Sequence, residues 1–213
     1  MKDPRFSQLA TVLVRHSMQV KAGDKVLIEA FDIPADFTTE LIRAVGAAGG
    51  LPVVSTYQQP VMRELFRNAS EAQMQFIGQI ERARMEGVQC YAGIRGSHNI
   101  SEMSDVPKDR MDLYERYWWK KVHGEIRVPK TRWVVLRWPH PAMAQAAGMS
   151  TEAFEDFYFR VCAGVDYDKM DQAMKPLGEL INRTDRVQIT GPGTDLSFSV
   201  KGIGAVGCSG ERN

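Results

Sequence analysis

Four short apolar runs constrain what this chain can become: Lys25-Val-Leu-Ile-Glu-Ala30, Leu51-Pro-Val-Val-Ser-Thr56, Val88-Gln-Cys-Tyr-Ala-Gly-Ile94 and Arg132-Trp-Val-Val-Leu-Arg-Trp138, with helical periodicity in the intervals. Brief runs without regular polar alternation suit strands covered on both faces, and such strands belong to parallel sheets. Strand, helix, strand at this spacing is a right-handed βαβ unit. The pattern predicts an α/β fold, an open and mostly parallel sheet with helices on both faces.

The helices can be placed from their caps and stripes. Asp3 and Pro4 open a first helix with Phe6, Leu9, Ala10, Leu13, Val14 and Ser17 on one face. A second groups Phe37, Leu41, Ile42, Val45 and Ala48 and stops at Gly49-Gly50. Ser70-Glu-Ala-Gln73 is a capping box for a helix with Met74, Ile77, Ile80 and Ala83 inward, closed by Gly87. Another covers about 106 to 122, before Gly124 and Pro129. Ser150 caps a helix with the stripe Phe154, Phe157, Tyr158, Val161 and Cys162, and a last one runs from Asp168 to about Ile181 with Pro176 as its point of bending.

Arg186-Val-Gln-Ile-Thr190 is a fifth strand of this body, and composition shifts at Gly191-Pro-Gly193. The domains expected are therefore 1–190, the α/β domain, and 191–213, the start of a second, β-containing one. In the latter, Leu196, Phe198 and Val200 alternate with Ser197, Ser199 and Lys201, which describes a strand with one apolar face. The glycine-rich residues after it hold too little apolar surface for a partner strand, so the chain reads as stopping inside that domain.

With 27 basic and 26 acidic residues, no global field draws the chain to nucleic acid or to a membrane surface. No run approaches the ~18 apolar residues of a membrane helix, and the N-terminus does not read as a signal peptide. Cys90, Cys162 and Cys208 are odd in number and share no CxxC spacing, which suits reduced thiols and a cytoplasmic location. Between Arg116 and Trp138 basic residues interleave with aromatics, a pattern that can bind single strands. Trp118, Trp119, Trp133 and Trp138 are better used in packing or a subunit contact, so no nucleic acid is expected.

Open parallel sheets bind ligands beyond the carboxyl ends of their strands. The loop after the first strand, Ala30-Phe-Asp-Ile-Pro34, has no glycine to cradle a pyrophosphate, which argues against a dinucleotide enzyme. Asp32 there is a ligand contact or, more simply, a helix cap. The loop Gly93-Ile-Arg-Gly-Ser-His98 brings Arg95, Ser97 and His98 together as an anion site, without the lysine or spacing of a P-loop. A serine elbow, a thiolate beside a base and an HExxH helix are missing, and His16, His98, His123 and His140 share no ligand spacing. His140, between Pro139 and Pro141 at a strand's carboxyl end, is the best single site candidate, against a structural histidine in a rigid turn. Asp195 can accept a substrate amine or bond the backbone of its own turn.

The opening helix and strand, then Trp133-Val-Val-Leu-Arg-Trp-Pro-His-Pro141, then Gly191-Pro-Gly-Thr-Asp-Leu196 and Ser209-Gly-Glu-Arg-Asn213, resemble the thermophilic metallo-aminopeptidase family of the aminopeptidase T and aminopeptidase S type. The resemblance implies chains about twice this long: an N-terminal α/β domain, and a C-terminal domain holding two divalent ions (Zn, Co, Mg or Mn) through glutamates, histidines and an aspartate. It implies an exopeptidase acting on peptide N-termini, with ions that polarise the scissile carbonyl and activate water, and a homodimer whose cavity this domain partly roofs. It places Trp138, His140, Thr194 and Asp195 near that cavity. No metal ligand is expected within 1–213, so no peptidase activity is expected of it alone. The other reading is a non-enzymatic α/β module binding an anion or small ligand at Arg95 to His98.

Overall fold

The computed structural model describes residues 3–211. It divides into two compact units, one running to Gly164 and joined by the residues from Gly210 onward, the other spanning Val165–Ser209.

In the first unit β1 (Lys25–Phe31), β2 (Leu51–Tyr57), β3 (Cys90–Arg95) and β4 (Arg132–Arg137) form one parallel sheet in the order β2-β1-β3-β4. This is the fold class expected from the four apolar runs. Strand order reverses between β1 and β3, which creates a crevice beyond their carboxyl ends. Alternation along the strands divides the interior in two. Val26, Ile28, Cys90, Ala92, Ile94 and Val134 face a core closed by α1 (Pro4–Thr11), α2 (Ala35–Ala47) and α8 (Thr151–Ala163). Leu27 and Tyr91 face the other, under α3 (Gln59–Arg67), α4 (Glu71–Glu86) and a long composite helix. That helix begins as α5 (Lys108–Tyr114), continues as a π-helical segment (Glu115–Arg127) and ends in α6 (Val128–Lys130).

The expected start signals act as caps. Asp3 accepts from the Arg5 N–H at 2.9 Å, Ser70 from Gln73 at 3.2 Å and Ser150 from Ala153 at 3.2 Å. Several inward faces are shifted, however. On α4 the buried residues are Met74, Gly78 and Met85, while Ile80 is exposed and Ala83 points outward. Gly78 explains this, because a Cβ there would lie 2.1 Å from the Tyr117 carbonyl oxygen. The glycine lets two helix backbones approach, and that contact fixes which side of α4 turns inward. On α8 the buried residues are Phe154, Tyr158 and Phe159, with Phe157 and Val161 exposed. The long helix does not stop before Gly124. It runs to Lys130 because Val122, Ile126 and the aliphatic part of Arg127 continue its buried stripe. A short helix α7 (Pro141–Ala146), not expected from the sequence, follows β4.

The second unit contains α9 (Tyr167–Arg183), capped by Asp166 on Lys169 at 3.0 Å, and the antiparallel pair β5 (Arg186–Gly191) and β6 (Thr194–Ser199). The strand expected to lack a partner therefore has one, and it precedes rather than follows. β5 belongs to this hairpin instead of extending the parallel sheet. Pro192 supplies the first turn position and Gly193, at φ 71°, the left-handed second. The compositional boundary at Gly191 thus falls at a hairpin turn, whereas the compact units divide after Gly164. Among the described residues no helix is long and apolar enough to cross a membrane.

Candidate functional site

At the switch point β1 ends in a strained turn. Asp32 adopts φ 45°, its N–H donates to the Tyr57 carbonyl at 3.0 Å, and its carboxylate accepts from the Gln59 N–H at 2.9 Å. Asp32 is therefore a helix cap, but for α3, which follows the neighbouring strand β2, rather than for the helix that follows it. Gly96 just beyond β3 donates to the Phe31 carbonyl at 2.7 Å, and a Cβ on it would meet the Asp32 carbonyl oxygen at 2.5 Å. Two strand ends are thus locked together at the mouth of the crevice.

On one side of this junction lies a cleft of about 820 Å³, with Asp32, Thr38, Thr56, Tyr57, His98 and His140 among its walls. The His98 and His140 rings meet edge to face at 4.1 Å. Burial, then the neighbouring His98, hold the His140 imidazole below its ordinary pKa, with Asp32 opposing, and its Nδ1 is buried without a hydrogen-bond partner. On the other side a cleft of about 380 Å³ is walled by Arg95, Ser97, Asn99 and Arg137. The three loop residues expected to form one anion site are therefore divided, Arg95 and Ser97 from His98.

Beneath the second cleft is a polar cluster that single-sequence reasoning missed. Glu29, 4% exposed, accepts from the Tyr91 hydroxyl at 2.7 Å, and burial pushes its carboxyl pKa up. His123 is also 4% exposed; burial, reinforced by Arg127 and Arg95, lowers its pKa to about 3, and its Nδ1 has no hydrogen-bond partner. Arg127 stacks over Trp133 at 4.5 Å and Tyr91 at 5.4 Å. The signal available beforehand was Glu29 inside an otherwise apolar strand, since an unpaired charge there would be too costly.

The remaining candidates are dispersed. Trp138 is enclosed in the first core, 4.6 Å from Phe37 and 5.3 Å from Phe6 between ring centres, and does not line the cleft that His140 borders. Thr194 and Asp195 are exposed in the second unit, where Asp195 accepts from the Gln188 side chain at 2.9 Å rather than from its own turn. Cys90 is buried, Cys162 half-buried and Cys208 exposed. Trp118 is buried and Trp119 is 40% exposed.

The family model for thermophilic metalloprotease (M29) matches residues 2–212. The chain belongs to the M29 metalloprotease family. Among solved structures this M29 chain is similar to wild-type AmpT from Thermus thermophilus, at 19% identity and a TM-score of 0.71 over 92% of this chain and 53% of that one. That likeness supports the α/β fold, and the chain spans about half the length of AmpT. CurK enoyl reductase aligns over 75% of this chain and 49% of its own at 11% identity and a TM-score of 0.30. No match is found among curated proteins. Among the described residues no three His, Cys, Asp or Glu side chains are grouped to hold an ion, and the Asp32 carboxylate beside the histidine pair is already engaged by Gln59.

Proposed function

We propose that this chain is the N-terminal α/β part of a metal-dependent aminopeptidase that removes single residues from peptide N-termini. The observation that carries the reading is the family match across residues 2–212. In the whole enzyme divalent ions, proposed as a pair, supply Lewis acidity and an activated water. Their ligands are proposed to lie outside residues 1–213, because the described residues offer no cluster of donors for them. The role assigned to this part is scaffold and cavity wall, with His140 in the wall and the hairpin residues Thr194 and Asp195 as further contacts. A homodimer and a cytoplasmic location complete the proposal.

Hydrolysis of a leucine-type chromogenic substrate tests it. The 213-residue chain with added cobalt or zinc is expected to give no turnover above buffer, while a chain extended to the length of AmpT is expected to be active. Metal-dependent turnover by residues 1–213 alone, or inactivity of the extended protein with every metal, would refute the reading.

A further inference from the structure

Arg95 on β3 and Arg137 on β4 are register partners at the carboxyl ends of adjacent parallel strands. Partners in register project from the same face, and like charges placed so repel. Repulsion of this kind is ordinarily relieved by carboxylates, as Asp24 does for Arg132 at the other end of β4. Neither Arg95 nor Arg137 is paired in this way: among the described residues neither guanidinium makes a hydrogen bond or an ion pair, and the Arg95 Nε is buried without a partner, although Glu29 lies near enough to feel the Arg95 charge and the Phe31 ring lies 5.9 Å from its guanidinium. Glu102, the acidic residue on the wall of their cleft, pairs with neither. Two forked donors thus border a cleft of about 380 Å³, alongside the Gln59, Ser97 and Asn99 side chains.

The cleft has an inner neighbour. A pocket of about 180 Å³ shares Gln59, Arg95 and Met103 with it; Met62, Phe66, Met111 and Trp118 give it an apolar side, while Glu29, Tyr114 and His123 line its polar side. Its size and apolar side suit a short apolar group, and Arg95 stands at the boundary of the two spaces. Guanidinium forks match the two oxygens of a carboxylate, and each charge-assisted bond is roughly twice as strong as a neutral one.

We propose that the two spaces form one binding site for a small organic carboxylate with a short apolar tail, its oxygens on Arg95 and Arg137 and its tail between Met62, Phe66, Met103 and Trp118. The site is contained in the first unit and goes beyond the peptidase reading, since it needs neither metal nor turnover. The position beyond the strand ends is where open parallel sheets take ligands.

Isothermal titration of the full 213-residue chain with 4-methylpentanoate, acetate and the uncharged 4-methylpentanamide tests both halves. The expected result is saturable binding of 4-methylpentanoate, with acetate and the amide each weaker by about tenfold or more, as loss of the tail or of charge-assisted bonds dictates. Arg137→Gln, an exposed edge-strand change whose folding is checked by its thermal melt, is expected to weaken 4-methylpentanoate by about tenfold and leave the amide unchanged. No binding at millimolar ligand, equal binding of acid and amide, equal binding of acetate, or indifference to Arg137→Gln would each overturn the proposal.

Discussion

Two residues show how much chemistry a single position can hide. Asp32 reads as a cap from its type and place, and it is one, but the capped helix is α3 and the partner is Gln59, 27 residues on. No local pattern announces that pairing, because it depends on how β1 and β2 lie together. His123 reads only as one of four histidines that share no ligand spacing, just beyond a helix expected to end near 122, and it becomes a buried neutral imidazole against Tyr91, with ring centres 5.8 Å apart. Its folded pKa of about 3 lies below the ordinary 6.5, so the unfolded chain binds the extra proton between those values. The stability His123 contributes is therefore complete above pH 6.5 and lost as pH falls towards 3, with a slope approaching about 1.4 kcal/mol per pH unit. Glu29, with its raised pKa, acts in the opposite sense, stabilising at low pH and losing that contribution as pH rises through its folded value. His123→Phe keeps a ring against Tyr91 while removing the titration. In urea melts the variant is expected to lose about one proton's worth of acid-side slope between pH 6.5 and 3; an unchanged slope would assign the acid sensitivity elsewhere.

Among the elements, strands were more legible than helix faces. The four runs that form the sheet are visible because burial on both faces demands apolar residues at nearly every position, as β1 and β3 show. Side-chain periodicity misplaces a helix face where a small residue sets the contact. α4 turns Gly78, not Ile80, towards the long helix, since only a glycine admits the Tyr117 carbonyl there. Gly78→Ala should cost about 1–3 kcal/mol from overpacking, measured as a lower urea midpoint at unchanged m-value; a midpoint equal to wild type would contradict the close approach. Of the candidate sites, the Arg95 loop was found through its position at a strand end. Its partner Arg137 was not, because strand adjacency and register place β4 beside β3, and neither is written in a single chain. The β5–β6 pairing is hidden for a related reason: the glycine-rich residues after β6 offer it no partner, whereas the glycine-proline turn folds β6 back onto the residues before it.

For the whole molecule, the family supplies an expectation of metal chemistry that the described residues do not meet by themselves. Among the described residues the two imidazoles that meet, His98 and His140, belong to no group of three ligand-type side chains placed to hold an ion; in the polar interior Glu29 accepts from Tyr91 and His123 meets the Tyr91 ring edge to face. The second unit adds a helix and a two-stranded hairpin in which α9 buries none of its residues and every residue of β6 is exposed. A lone hairpin of this kind has little stability of its own. These residues are proposed as a frame for metal chemistry rather than its seat. Equilibrium dialysis of the 213-residue chain against micromolar zinc and cobalt, followed by elemental analysis, tests this most directly. Less than about a tenth of an equivalent retained is the result expected; one or two equivalents retained, and released by substitution of His98 or His140, would contradict it.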